Sequence, residues 1–324
     1  LNGTFPSSIS MLTNLTYLDV SANHFSGTIL PALVTLNQLV SVTLEENEFS
    51  GSIPTNINQM SSLNEILLRF NHFSSSLPTA VGSLTGLTNF DMFDNYFTGV
   101  IPESIGSLSK LKYLDFYTNS LYGTIPSSMV SLSQLTFLSV GNNKFTGTIP
   151  TYLGTFTDFY VLGVSYNSFT GSLPTSFGLL SKLEFFSCRT NLLTGDVSFM
   201  LALPILQMFI GSKNMLTGNL ENIVISNALV TLRLDYNLVT GSYFMQELCH
   251  ANHLKELISS NNYFSGSIPS CISNVSLLNT MDISYNRHTG ILPSSLYDLT
   301  ELNTAILSTN YFSGSLSNLF YRVF

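Results

Sequence analysis

The chain has 324 residues, of which 44% are hydrophobic and only 9% charged, and its formal net charge is −8. It is too apolar for a disordered chain, and it lacks the basic stripe that nucleic-acid partners require. Its length exceeds what one ordinary hydrophobic core supports, which favours a repetitive architecture in which each unit packs only on its neighbours.

An asparagine recurs every 24 residues through the first eight repeats, and then at spacings of 23 to 25 residues. A fixed period of this size predicts a solenoid. Because an amide side chain both donates and accepts, we expect the column to form a hydrogen-bonded ladder with backbone groups that stacking hides from water. Loss of one member should leave buried groups unpaired, at about 1–3 kcal/mol. The ladder asparagines are Asn23, Asn47, Asn71, Asn95, Asn119, Asn143, Asn167, Asn191, Asn214, Asn237, Asn262, Asn286 and Asn310.

Each repeat starts with a short strand, as in the alternating segment 135–140, which cannot bury its apolar face alone. Two residues after the ladder asparagine comes a large apolar residue, from Phe25 to Phe312, which predicts an aromatic column in the core. His288 stands in that column, where we expect it to pack. Two residues further on stands a glycine, which only Ser75 replaces. An Ile-Pro or Leu-Pro pair follows in most repeats, and proline suits a return path on the outer side.

The repeat unit LxxLxLxxNxFxGxIPxxIxxLxx resembles the plant-type leucine-rich repeat of receptor-like kinases and receptor-like proteins, and it is similar to repeats in protist surface antigens. The resemblance implies an α/β solenoid, mostly β and irregular. This is a right-handed superhelix with a parallel sheet on its concave face.

We expect a single domain over residues 1–324, with about thirteen repeats and a partial N-terminal repeat at residues 1–14. Neither Leu1–Pro6 nor Leu319–Phe324 reads as a polar cap, so we interpret the chain as a fragment. Any signal peptide, membrane span, lipid anchor or kinase would lie outside it.

Cys188 occupies a core position of a strand and is expected to be a buried thiol. The stretches around Cys249 and Cys271 are similar to an ELC…IPSC pattern of plant receptor-like proteins. This similarity implies a disulfide and an oxidising compartment, and two free thiols are the alternative. The sequons at Asn2, Asn14 and Asn274 fall on turns or the outer side, which fits glycosylation, although a chain rich in Asn, Ser and Thr produces some by chance.

No motif of a hydrolase, metalloprotease or phosphate-binding loop occurs, so we predict no enzyme, no cofactor and no metal. Cys249, His250, His253 and Cys271 do not have the spacing of a zinc site. A row of aspartates that includes Asp91 and Asp115 shares one strand position and is interpreted as a structural habit of the repeat.

Recognition should use the strand positions that are free to vary, because solenoids bind partners on their concave surface. These positions are rich in aromatic residues, aspartate and arginine, which favour recognition, and the arginines could clamp a carboxylate. The same aromatic residues could instead stabilise the sheet without a ligand. The candidate ligand-binding residues are Arg69, Phe70, Asp91, Phe93, Tyr113, Asp115, Tyr117, Phe137, Tyr160, Tyr166, Phe185, Arg189 and Arg233.

We therefore predict an extracellular or cell-surface module that recognises a peptide or protein ligand. The resemblance also implies a co-receptor, and membrane attachment only through segments absent from this chain. The alternatives are a membrane-anchored surface antigen or adhesion coat, and an inhibitor of secreted hydrolases. The segment 197–250 departs from the repeat pattern in a way that the sequence does not explain.

Overall fold

The computed structural model describes residues 1–314, which fall into two compact units, Leu1–Ser168 and a second unit that starts at Phe169. The single domain over residues 1–324 stays a prediction. The segment Leu319–Phe324, which we expected to lack a cap, lies outside the described residues.

Each unit contains a parallel sheet of three-residue strands, one strand per repeat, which we call the inner strands. Successive strands pair position by position, as Tyr113 with Phe137 and Leu114 with Leu138. The predicted parallel sheet is therefore confirmed. The inner strands are Tyr17–Asp19, Ser41–Thr43, Glu65–Leu67, Asn89–Asp91, Tyr113–Asp115, Phe137–Ser139 and Val161–Gly163 in the first unit, and Phe185–Ser187, Met208–Ile210, Thr231–Arg233, Glu256–Ile258, Thr280–Asp282 and Thr304–Ile306 in the second.

A second set of strands, the outer strands, begins one residue after each ladder asparagine in most repeats and also pairs in parallel. The outer strands are Asn2–Thr4, His24–Gly27, Glu48–Gly51, His72–Ser76, Tyr96–Gly99, Ser120–Gly123, Lys144–Thr148, Ser168–Ser172, Leu192–Thr194, Thr240–Gly241, Tyr263–Gly266, Arg287–Ile291 and Tyr311–Ser313. Asn2, which we expected outside strands, thus starts an outer strand.

Short 3₁₀ helices close most repeats and follow the Ile-Pro or Leu-Pro pair. The proline is extended and stands immediately before the helix, as at Pro78 (φ −73°, ψ 145°), where its missing N–H is not needed. These helices are Ser7–Met11, Ile57–Gln59, Thr79–Ser83, Glu103–Ser107, Ser127–Ser131, Thr151–Thr155, Thr175–Leu179, Ser270–Asn274 and Ser294–Asp298. Single-turn α-helices occur at Leu30–Leu33, Ser198–Leu201 and Phe244–Leu248, the last two in the segment that departs from the repeat pattern.

The ladder asparagines join each repeat to the one before it. Asn95 donates from Nδ2 to the carbonyl of Leu68 in the preceding repeat (3.0 Å) and to those of Met92 (3.3 Å) and Phe93 (3.1 Å) in its own repeat. Its Oδ1 accepts the N–H of Phe73, also in the preceding repeat, at 2.9 Å. One buried side chain thus satisfies four backbone groups on two neighbouring repeats.

The residue immediately before each ladder asparagine adopts a left-handed backbone, with φ between 50° and 57°, as at Glu46 and Phe70. Most residues with a Cβ avoid this region, so the tight turn out of the inner strand is strained locally and held by its surroundings. A second left-handed position follows at the glycine column. Ser75, which replaces that glycine, keeps a φ of 71°.

The core is filled by the leucines of the inner strands and by the aromatic column. Phe49, Phe73 and Phe97 are completely buried, and their rings stack with centroids 6.4 and 6.3 Å apart. His288 takes the place of a phenylalanine, is buried, and stacks on Phe312 at 6.1 Å. Burial lowers the pKa of His288 and raises that of the Cys188 thiol.

The ladder makes a direct prediction for Asn95→Ala. The substitution leaves the N–H of Phe73 and the carbonyl of Leu68 without this partner inside the core. The free energy of unfolding should therefore fall by about 1–3 kcal/mol. Thermal unfolding followed by circular dichroism measures the effect. Asn64→Ala, at an exposed asparagine outside the ladder, is the matched control and should leave the transition in place. Equal transitions for both variants would contradict the ladder.

Ser75 offers a stabilising test. Ser75→Gly should raise the free energy of unfolding by about 1 kcal/mol, because glycine adopts a φ of 71° without the steric penalty of a Cβ. The neighbouring exposed Ser76 has no left-handed backbone, so Ser76→Gly should lower stability instead. Urea unfolding of the two variants compares them, and a loss of stability in Ser75→Gly would refute the argument.

Candidate functional site

Two rows of contacting aromatic rings lie at the inner strands of the first unit, one in the turns that follow the strands and one on the strands or directly before them. The first, which we call the aromatic ridge, consists of Phe70, Phe93 and Tyr117. The Phe70 and Phe93 rings meet edge to face with centroids 4.8 Å apart, and Phe93 stacks on Tyr117 at 5.5 Å. Phe70 is 41% exposed, and Phe93 and Tyr117 are half-buried. The ridge is therefore a preformed aromatic surface that neighbouring rings hold in place.

The second row is formed by Tyr113, Phe137 and Tyr160. Tyr113 stacks on Phe137 with centroids only 4.2 Å apart, and Phe137 lies 6.0 Å from Tyr160. The Tyr113 hydroxyl lies 3.3 Å from Oδ2 of Asp115, and burial together with the charge of Asp115 raises the pKa of Tyr113. This hydroxyl consequently stays protonated and able to donate.

The prediction that Asp91 and Asp115 are exposed is wrong, since they are only 3% and 7% exposed. Oδ1 of Asp91 accepts the N–H of Phe93 at 2.9 Å, and Oδ1 of Asp115 accepts the N–H of Tyr117 at 2.8 Å. Each carboxylate thus closes the turn that presents a residue of the aromatic ridge. The aspartates are structural supports of the site and not its surface.

Burial raises the pKa of Asp91 to about 6, and the charge of Asp115 adds to the effect although the bond from the Phe93 N–H opposes it. Burial likewise raises the pKa of Asp115. Two carboxylates on adjacent strands therefore share a poorly solvated strip between the two aromatic rows.

Two of the three arginines expected to clamp a ligand carboxylate already hold internal carboxylates. Arg69 Nε lies 3.0 Å from Oε1 of Glu45. Arg233 binds Glu256 through two bonds, Nε to Oε2 at 2.9 Å and Nη2 to Oε1 at 2.7 Å. A ligand carboxylate would first have to displace these acids at Arg69 and Arg233, so the clamp stays a prediction.

In the second unit, Phe185 and Arg189 are half-buried, Phe185 on an inner strand and Arg189 in the turn after it. Tyr166, at the end of the first unit, is 40% exposed. It takes the left-handed position before its ladder asparagine, which turns its side chain away from the core. All three residues are therefore at least partly accessible to a ligand.

Sequence reasoning missed the partners of the predicted residues. Glu45 stands 24 residues before Arg69, and Glu256 stands 23 residues after Arg233, which are repeat spacings. A search for opposite charges one repeat apart would have found both pairs. Gly141 is also part of the site, because a Cβ there would lie 2.6 Å from the Tyr117 ring. Because glycine has no Cβ, the ring of Tyr117 can lie against the backbone at Gly141.

Cys249 and Cys271 form a disulfide with their Cα atoms 5.7 Å apart, which removes both thiols as zinc ligands. Within residues 1–314, no three His, Cys, Asp or Glu side chains converge on a site that could hold a metal ion. The sequon residues Asn2, Asn14 and Asn274 are exposed, so glycosylation at them stays a prediction. No helix within the same range is long and apolar enough to cross a membrane.

Five segments of the chain match the family model described as Leucine Rich Repeat, at residues 14–36, 86–108, 134–156, 253–275 and 277–299. The last two segments are consecutive repeats, and repeats of about the same spacing that the model does not match separate the others. A comparison with curated proteins finds no match to this sequence.

Solved structures give stronger matches. A crystal structure of a TDR receptor superposes with a TM-score of 0.89 at 31% identity, over 96% of this chain and 58% of that one. The plant peptide hormone receptor RGFR1 in complex with RGF2 gives 0.83 at 28% identity, over 97% and 55% of the two chains. The Arabidopsis receptor kinase HAESA, in complex with the peptide hormone IDA and the co-receptor SERK1, gives 0.83 at 28% identity, over 97% and 61%.

The chain thus spans between 55% and 61% of the length of these three receptor chains. Its fold is that of leucine-rich repeat receptor ectodomains, and the predicted fold class is confirmed.

The raised pKa of Asp91 predicts a pH-dependent stability. Between pH 4 and 6 the folded protein binds more protons at this carboxyl than the unfolded chain, so its contribution to stability falls as pH rises through that window. Asp91→Asn removes the titration. Wild type should lose about 2 kcal/mol relative to the variant from pH 4 to pH 6. Urea unfolding at both pH values measures the difference, and a constant difference between the two proteins would contradict the burial argument.

Proposed function

We propose that this chain, whose fold is that of leucine-rich repeat receptor ectodomains, is the ligand-recognition module of an extracellular receptor. Its ligand is an extended peptide that lies across the inner strands of the first unit. The observation that carries the proposal is the aromatic ridge, in the turns after the inner strands, together with the second aromatic row at the strands themselves. The rings of both rows contact one another and are half-buried or exposed.

The dimensions suit a short peptide. The two rows run from the repeat that contains Phe70 to the repeat that contains Tyr160, which is four strand-to-strand steps and roughly 20 Å. An extended peptide covers that distance with about six residues. Rigid rings offer such a peptide a large contact area at little loss of conformational freedom, because they are already packed against one another.

The receptor structures support the same function. RGFR1 and HAESA are described in complex with peptide hormones, and the HAESA complex also contains a co-receptor. By likeness to them we propose that this module serves at the cell surface, that its ligand is a secreted peptide, and that a co-receptor joins the complex. Binding requires no catalytic group, and the proposal assigns none.

The test is a double substitution on the aromatic ridge. Phages that display random dodecapeptides are first selected on the immobilised chain, and the affinity of the enriched peptides is measured by calorimetry. Phe93→Ala with Tyr117→Ala should weaken binding at least a hundredfold, because these rings form the centre of the surface. The unfolding temperature should move by only a few degrees, since both side chains are half-buried and outside the core.

Tyr122→Ala is the matched control, because Tyr122 is 52% exposed on an outer strand and should not affect binding. Undiminished affinity in the double variant would place the ligand elsewhere on the chain. Failure of the wild-type chain to enrich any peptide would contradict peptide recognition itself.

A further inference from the structure

An open cavity of about 400 Å³ lies beside the aromatic ridge, at the turns that lead from the inner to the outer strands of three consecutive repeats. Its walls include His24, Glu46, Glu48 and Phe70. It is open to solvent over most of its extent, so it can receive the end of one side chain but does not enclose a ligand. Phe70 belongs to both the cavity and the aromatic ridge, so a peptide on the ridge passes the mouth of the cavity.

The side chains at the cavity are available to a ligand. Glu46 is exposed, the Glu48 side chain is 54% exposed and the His24 side chain 78% exposed. His24 Nδ1 lies 3.8 Å from Oε1 of Glu48. Asn47 also lines the cavity, but its side-chain amide already donates to the carbonyls of Val20, Leu44 and Glu45. The two glutamates therefore decide which ligand chemistry the cavity accepts.

The carboxylate side chains give the part of the cavity around Glu46 and Glu48 a negative charge, whereas the terminal ammonium of Leu1 lies at Asn23, 2.7 Å from its Oδ1. Arg69 is the basic residue closest in sequence, and it is paired with Glu45 at 3.0 Å, so it does not neutralise Glu46 or Glu48. The next residue in the column of Glu46 and Phe70 is Asp94, which is also exposed and acidic. A metal ion is not the fitting occupant, since the described residues hold no group of three acids, histidines or cysteines able to ligate one.

We propose that this cavity binds the cationic side chain of a lysine or arginine in the peptide ligand. The ammonium or guanidinium group lies between the carboxylates of Glu46 and Glu48, and its stem lies against the Phe70 ring. Carboxylates give a cation charge-assisted hydrogen bonds, and an aromatic face attracts it further. The assignment rests on the proposed function, because it takes the cation from a peptide bound on the aromatic ridge.

The first experiment repeats the dodecapeptide selection on the variant Glu46→Gln with Glu48→Gln. Peptides selected on the wild-type chain should be enriched at least fivefold in lysine or arginine at one position. The variant should select peptides without that enrichment while it retains binding that depends on Phe93 and Tyr117. Asp298→Asn with Glu301→Gln is the control, because it changes the net charge equally at two exposed acids of the second unit.

Two outcomes would contradict a cation site in the cavity and leave peptide recognition intact. In the first, the wild-type chain selects peptides without a basic residue. In the second, wild type and the Glu46→Gln, Glu48→Gln variant select basic residues equally. Retained enrichment in the control variant and loss in the cavity variant would support the cation site.

A second experiment is independent of any peptide. N-acetyl-arginine amide is titrated into the chain at low salt, and the imidazole resonance of His24, assigned with a His24→Gln variant, is followed by NMR. We expect a saturable shift, with at least tenfold weaker binding in the Glu46→Gln, Glu48→Gln variant. N-acetyl-citrulline amide, which has the same shape without the charge, should give no comparable shift. An equal response to both probes, or no response to arginine, would overturn the cavity even if no peptide is ever selected.

Discussion

The hydrogen bonds of the ladder asparagines are the constraint on which this structure depends. Where the chain leaves an inner strand, its backbone turns sharply inside a stack of identical turns, and water cannot reach the groups that the turn exposes. A side chain with two donors and an acceptor, placed at the same point of each repeat, satisfies them. Asn95 bonds to Leu68 and Phe73 of one repeat and to Met92 and Phe93 of the next. The turn and the stacking of repeats are consequently held by one set of contacts, and neither forms without the other.

The aromatic ridge is built on the same turn. Phe93 and Tyr117 stand two residues before their ladder asparagines, and their N–H groups bond to Asp91 and Asp115. Phe70 occupies the left-handed position directly before Asn71, and its N–H donates to the carbonyl of Phe93 at 3.0 Å. Backbone bonds thus fix the direction of each ring before any ligand arrives. This is why a row of separate side chains can act as one preorganised surface.

The period of the sequence was sufficient to predict the strands, the core and the ladder, because these depend on which residue types recur. It was not sufficient for the site. Asp91 looked exposed because it alternates with core residues, yet the turn folds back over it and supplies a donor. Arg69 looked available because its partner Glu45 lies a whole repeat away. The cavity at Glu46, Glu48 and Phe70 was missed since its walls come from three repeats and no single repeat contains it. Contacts between repeats are what a pattern within one repeat does not show.

At the position two residues before the ladder asparagine, the side chain varies from repeat to repeat while the backbone hydrogen bonds around it stay the same. In the first unit this position carries large side chains at Arg69, Phe93 and Tyr117 but small residues at Gly141 and the buried Ser165. In the second unit it carries the half-buried Arg189 and the buried Ser212, Asp235 and Ser260. Ser212 there donates to Oδ1 of Asp235 one repeat later. The backbone at these positions makes the same bonds in both units, as when the residue after it, Phe70 or Tyr236, donates to the carbonyl of the next repeat. Because the ladder sets the backbone whatever the side chain, this column accepts aromatic, charged and small residues alike. What one repeat carries there affects its neighbour instead, since the ring of Tyr117 requires a residue without a Cβ at Gly141 in the next repeat. The side chains of this column therefore depend on contacts between neighbouring repeats and not on the turn that presents them.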